Sequence, residues 1–280
     1  MRILRQFIFV GLAAYFSGGC AAWAQRSFTE RLWSRNERMT ALQPTWMAPL
    51  IQTDARLAQA VRFSFSNSTT SSGSRTTNYG NYHTLGLLLG DRVQLNLIAP
   101  PYVQNNSATA KDGFGDTQVE GKYRIVSGNA AHGNYELTGK LTWNAATGSH
   151  KNGVATDYWS PLLAAGREWG RFNVQATLGG TLPTGKIAQQ GRAIDWNTTA
   201  QVLLGTKLWL DVEDNAIFNF GGPQDGTVEN FVTPAGFYVV RRKGWKPTHA
   251  IFVPGVGMQI ATSRFHTYNH NLIPELRILF

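Results

Sequence analysis

The sequence predicts an all-β chain, a transmembrane antiparallel up-and-down β-barrel of about twelve strands preceded by a signal peptide. Three observations predict it. Apolar and polar residues alternate with a period of two over most of the chain, long links alternate with short ones, and the last strand ends on an aromatic residue. Two-residue alternation places one set of side chains on each face of a strand. Composition agrees: with 15% charged residues, 29 glycines and 9 tryptophans, the 280 residues are too poor in charge and too rich in aromatics for an ordinary cytosolic domain.

The N-terminus reads as a leader. Arg2 and Arg5 precede an apolar run from Phe7 to Phe16, and Ala22-Trp23-Ala24 forms an A-x-A cleavage site before Gln25. That run is too short for a membrane helix, which needs ~20 apolar residues. Residues 1–24 are therefore expected to be a signal peptide cleaved at Ala22 and Ala24. Cys20, the sole cysteine, falls inside it, so the mature chain has no thiol for disulfide, zinc or nucleophilic chemistry. Ser17-Gly18-Gly19-Cys20 faintly resembles a lipobox, with Ser17 where an aliphatic residue is usual. Residues 25–55 hold Trp33, Trp46 and several arginines without clear periodicity, and are expected to lie in the periplasm or fold back as a plug.

The barrel is expected over residues 56–280. Its clearest strand is Tyr135 to Asn144, where Tyr135, Leu137, Gly139, Leu141 and Trp143 alternate with Glu136, Thr138, Lys140, Thr142 and Asn144. Phe172 to Leu182 alternates likewise, as do Val93, Leu95 and Leu97 against Arg92, Gln94 and Asn96. Val119, Tyr123 and Ile125 oppose Glu120, Lys122 and Arg124. A soluble sandwich would alternate too, so the links decide. Long ones are expected at 66–78, 100–113, 145–156, 183–193, 214–230 and 262–268. Shorter ones are expected at 90–91, 127–133, 169–170, 205–206 and 243–246. Long loops at one end and tight turns with both termini at the other are the outer-membrane pattern. Eleven links imply twelve strands at about nineteen residues per strand and link, enough for spans of ~9–11 residues. In the final strand Leu272, Pro274, Leu276, Ile278 and Phe280 alternate to a C-terminal aromatic. That ending, above all Leu276, Ile278 and Phe280, resembles the assembly signal of bacterial outer-membrane barrels.

Several segments are similar to the bacterial family of transporter-like outer-membrane proteins named for the putative MetA pathway of phenol degradation. They are Gly113-Phe114-Gly115-Asp116 with the alternation to Lys122-Tyr123-Arg124, then Thr147-Gly148 and Pro183-Thr184-Gly185. The resemblance implies a twelve-strand barrel with a transport role; it implies no catalytic residues and no particular substrate.

A barrel lipase or deacylase needs His and Ser on one strand face, as in H-x-S, and no histidine here has serine two residues later. His266 and His270 lack an evident third metal ligand. Asp211 and Glu213 share a face with Lys207, which reads as a charge ladder. No catalytic residue, metal or organic cofactor is expected.

With apolar faces toward lipid, the lumen-lining candidates are Arg62, Arg92, Asp116, Glu120, Lys122, Arg124, Glu136, Lys140, Arg171, Lys207, Asp211 and Glu213, joined by Glu275 and Arg277. A mixed charge set can line a narrow conduit or close it by salt bridges. Without the leader, the basic excess is seven, concentrated in the N-terminal segment, loops and turns such as Arg241, Arg242, Lys243 and Lys246. In a secreted chain that excess suits anionic head groups rather than nucleic acid. Tyr135 and Trp143 stand eight residues apart on the lipid face, roughly 26 Å along a strand at ~3.3 Å per residue, the spacing of two aromatic girdles. The reading is a channel or transporter for small solutes in the bacterial outer membrane, with lipid, the barrel-assembly machinery and a small solute as partners. A lipid-acting enzyme and a closed structural barrel are the alternatives.

Overall fold

The computed structural model describes residues 33–80, 83–107, 109–241 and 250–280. The leader with Cys20, Ala22 and Ala24, and the basic turn residues Arg242, Lys243 and Lys246, lie outside them.

Sixteen strand segments form one antiparallel sheet that closes on itself. Strand β1 (Ala60–Thr69) pairs with β2 (Arg75–Tyr79) and β3 (Thr84–Leu88), which together form one stave. The segments β4 (Val93–Ile98) and β5 (Tyr102–Asn106), β6 (Gly113–Phe114) and β7 (Thr117–Gly128), and β13 (Val228–Tyr238) and β14 (Val240–Arg241) likewise make single staves. The remaining staves are β8 (Tyr135–Ala145), β9 (Tyr158–Trp169), β10 (Phe172–Pro183), β11 (Arg192–Leu204), β12 (Leu208–Phe220), β15 (Ile251–Ala261) and β16 (His270–Leu279). These give twelve staves, and β16 returns to β1 with Ala60 opposite Leu279. Among the described residues, closure gives each stave a neighbour on both sides.

The outward faces are apolar. Leu163, Leu178, Leu210, Val212, Val256 and Leu272 are exposed there, while inward Thr177, Gln201, Glu213 and Thr233 are buried. Trp143 lies 6.5 Å from Trp159 toward the long-link end, and Trp169 and Phe172 mark the short-turn end with Tyr135. In β16, Leu272, Pro274, Leu276 and Ile278 point outward and Ile273, Glu275 and Arg277 inward. A bulge in β7 after Arg124 lets both Ile125 and Val126 face out.

Several links are shorter than the sequence suggests. The span expected from Asp214 to Asn230 shrinks to 221–227, because β12 continues to Phe220 and β13 starts at Val228. The span from Ser66 to Asn78 becomes a turn at 70–74. Backbone pairing runs on through these spans: β1 pairs with β2 from Phe65 to Thr69, and β12 with β11 as far as Phe220.

Before β1, a helix over residues 33–41 (α1) sits against the short turns: the Arg35 guanidinium donates to the Leu88 carbonyl, and Asn129 Nδ2 donates to the Ala41 carbonyl. The chain then enters the barrel. Trp46, Met47, Leu50 and Ala55 pack with inward Ala164, Trp209, Phe237, Val253 and Ile273 in an apolar cluster on one side of the lumen.

Candidate functional site: the lumen and its inserted segment

Residues 43–59 cross the barrel as an irregular loop whose backbone polar groups meet wall side chains. Such backbone is tolerated at membrane depth only when buried in protein or lining a water-filled space, and buried N–H and C=O groups need partners. The wall supplies them as charges. Glu213 accepts from the amides of Leu50 (2.5 Å), Ile51 (2.9 Å) and Gln52 (2.8 Å). Glu168 accepts from Thr45 N–H at 3.3 Å. Arg277 donates to the carbonyls of Ala48 and Pro49, and Arg62 to that of Leu50. Lys122 Nζ donates to the carbonyls of Asp54 (2.7 Å) and Arg56 (2.6 Å), and Thr138 to that of Ala55. The loop peaks at Gln52 and Thr53, whose hydroxyl takes a bond from Lys140 at 2.9 Å. It returns through Gln43–Leu57 and Gln94–Ala58 bonds to β1.

The same charges bond one another. Arg62 and Arg277 flank Glu275 at 2.6 and 2.5 Å, Arg124 meets Glu136 at 2.7 Å, and Lys140 meets Glu120 at 3.1 Å. Arg124 also donates to Gln43, and Asn96 Nδ2 to Glu120 at 2.5 Å. Within the loop, Arg56 pairs with Asp54 at 2.9 Å. Burial opposes ionisation of Asp54, but Arg56 and Lys122 beside it outweigh that and hold its carboxyl below the usual range.

Two spaces remain beside the loop. A cavity of about 310 Å³ lies between residues 48–58 and the wall of β1, β3, β4, β7, β8, β9 and β16. Its charged lining is Arg56, Arg62, Lys122, Lys140 and Arg277 against Asp54 and Glu120. A vestibule of about 620 Å³ fills the long-link half of the lumen, with Ile51, Gln52 and Thr53 as its floor. Its walls are chiefly neutral and polar, including Ser66, Asn78, Asn197 and Asn215, and Phe231 stacks on Tyr268 at 4.6 Å near its mouth. Ile51, Gln52, Thr53, Lys140, Tyr158 and Ser160 line both spaces.

Of the twelve lumen candidates, Arg62, Glu120, Lys122, Arg124, Glu136, Lys140, Asp211 and Glu213 are gathered around the inserted loop. Four are placed otherwise. Arg92, Arg171 and Lys207 are exposed in the short turns, because the strands begin one residue after each of them; Lys207 faces the Tyr238 ring at 6.0 Å instead of joining a ladder with Asp211 and Glu213. Asp116 is buried, but it staples the link at 146–157: it accepts from the amides of Gly148 and Val154, both at 2.8 Å, and from Asn144 Nδ2 at 3.1 Å. This accounts for the Gly-Phe-Gly-Asp and Thr-Gly motifs. A Cβ on Gly153 would collide with the Asp116 carboxylate, and one on Gly148 would lie 2.5 Å from Gly153 Cα. His266 bonds Asn269 and the Ser263 carbonyl, and among the described residues no group of three His, Cys, Asp or Glu could hold a metal ion.

The lumen candidates left out Gln94 and Gln175, which are uncharged, and Glu168, which lies one residue from the strand end at Trp169; all three also bond the loop. The period-two alternation already set Gln94 and Gln175 on the inward face. Trp46, whose ring packs on Gly166 and whose Nε1 donates to Asp54 at 3.1 Å, carried no periodic signal.

No family model matches the sequence, and no curated protein matches it. The fold is similar to the crystal structure of an outer membrane channel from Pseudomonas putida F1, with a TM-score of 0.54, 14% identity, and coverage of 84% of this chain and 100% of that one. It is similar also to the NanC porin, at a TM-score of 0.51, 7% identity, and coverage of 79% and 98%. The chain therefore has the closed antiparallel fold of these channel barrels.

Proposed function

We propose that the protein is a bacterial outer-membrane channel for small solutes, closed at its periplasmic, short-turn half by its own N-terminal segment, and a member of the transporter-like family named for the putative MetA pathway. The observation that carries this reading is the inserted loop: wall charges bind its backbone, yet a polar cavity runs beside it and meets the vestibule at Lys140. Five basic groups against two acidic ones in that cavity favour anions over cations in passage. The outward residues of the last strand, Leu276, Ile278 and Phe280, serve as the assembly signal, and the apolar belt contacts membrane lipid.

The test is single-channel conductance in a planar bilayer for the mature chain with and without residues 25–55. Small, anion-preferring currents that grow on truncation are expected. Equal currents in the two forms would remove the plug, and silence in both with heat-modifiable migration intact would remove the channel. The ion pairs around Glu275 and Glu136 favour a second reading, a closed structural barrel, and silence in both forms is its signature.

A further inference from the structure

Strand β12 carries an exception to the apolar outer face. Its outward series runs from Leu208 to Phe220 at every second residue, in unbroken register with β11, and holds Asp214 at its centre, after Val212 and before Ala216. Among the described residues Asp214 is the one acidic side chain on the outward face of a stave. Outward residues recur every ~6.6 Å along a strand, so the ends of the series lie ~20 Å from Asp214, or ~15 Å in depth at a tilt of ~40°. That is half of a hydrocarbon core ~30 Å thick. Asp214 therefore faces outward near the membrane midplane.

Its hydrogen bonding is incomplete within one chain. Asn230, outward on β13, donates from Nδ2 to Asp214 Oδ1 at 3.0 Å and to Thr262 Oγ1 at 3.1 Å, which uses both hydrogens of that amide. Directly opposite Asp214 on β11 stands Thr198. Among the described residues no donor reaches Asp214 Oδ2 and no acceptor takes the Thr198 hydroxyl. Acyl chains offer neither, and acidic side chains inside a membrane are found paired or facing protein. The outward neighbours are short: Ala200, Ala216, Pro234 and Gly236 let another surface come close to the backbone.

We propose that the outer face of β11 and β12 is a dimer interface within the membrane, and that its occupant is a second copy of this chain. An occupant has to bring a donor to Asp214 Oδ2 and an acceptor to the Thr198 hydroxyl. A second copy brings both when a two-fold axis along the membrane normal passes between the two strands. Thr198 of each copy then donates to Asp214 of the other, and the same bond forms twice, as an isologous interface requires. Both residues point away from the lumen, so pairing leaves passage through each barrel unaltered.

The test is photo-cross-linking in bacteria that carry the full chain in their outer membrane. The photoreactive p-benzoylphenylalanine replaces one outward aromatic residue at a time: Trp196 on β11 or Phe218 on β12, with Tyr123 on the far wall as control. Light is expected to give a covalent species of twice the chain mass from Trp196 or Phe218, and none from Tyr123. Sedimentation equilibrium of the purified chain then measures association. Asp214→Ala and Thr198→Val are each expected to weaken it at least ~10-fold, since each removes the bond twice; Asp214→Asn, which keeps an acceptor, retains most of it. Heat-modifiable migration confirms that each variant is folded, and single-barrel conductance should be the same in all. The interface is overturned by the absence of a covalent dimer from both positions, by equal cross-linking from Tyr123, or by a dimer that both Asp214→Ala and Thr198→Val leave at full strength.

Discussion

The two halves of the lumen are built from the same strands and differ in kind. The vestibule is lined mainly by Ser, Thr, Asn and Gln and is open, whereas the short-turn half carries most of the buried Arg, Lys and Glu side chains and is narrowed by the inserted loop to a smaller cavity. Charge follows the inserted backbone. Where residues 43–59 bring unpaired amides and carbonyls, the wall presents carboxylates to the amides and guanidinium or ammonium groups to the carbonyls. Hydrogen bonds to charged groups are worth ~1.5–3 kcal/mol, more than neutral ones. Charges that would have to be hydrated in an empty pore are here partners of a loop.

That contrast can be broken most strongly through Trp46, fully buried where the loop packs on Gly166. Trp46→Ala is expected to destabilise the closed arrangement by about 3–5 kcal/mol, as large aromatic truncations do, and to raise open probability in the bilayer. Glu213→Leu removes the acceptor of three amides; at roughly 1 kcal/mol or more for each orphaned group the loss is about 3 kcal/mol, with Glu213→Gln milder. Hydrogen exchange at Leu50, Ile51 and Gln52 should quicken in the same order.

Asp54 sharpens the comparison by pH. Its folded carboxyl titrates below the usual value because Arg56 and Lys122 outweigh burial, so its stabilisation is complete above the unfolded range of ~3.9 and is lost only as pH falls through the lower folded value. The share of loop stability that Asp54 supplies is therefore expected to be lost only in strong acid, and the difference in conductance between the intact chain and Asp54→Asn should vanish there. In the vestibule, Asn215→Ala breaks only bonds to Asn197 and Thr233. A shift below about 1 kcal/mol with unaltered gating is expected there; a gating change as large as that of Glu213→Leu would erase the distinction between the halves.

The strands were legible because a lipid-facing belt and a polar lumen impose opposite demands on successive residues, as Tyr135 to Asn144 records. Link lengths were less so: β12 and β13 run on through Asn215, Phe218 and Glu229, and residue type alone does not tell where strand pairing gives way to a turn. Arg92, Arg171 and Lys207 alternate in phase with inward residues but fall one position before their strands begin, and phase carries no information about where a strand ends.

What the sequence determined by itself is the barrel: twelve staves, their outward faces and the inward placement of Lys122, Arg124, Glu136 and Glu213, since each follows from local period and turn spacing. Only the tertiary structure decided what those charges do. Residues 43–59 have no period, and Leu50 N–H meets Glu213 across 163 positions of chain. Such contacts arise because an irregular backbone inside a membrane barrel must find every partner on the surrounding wall.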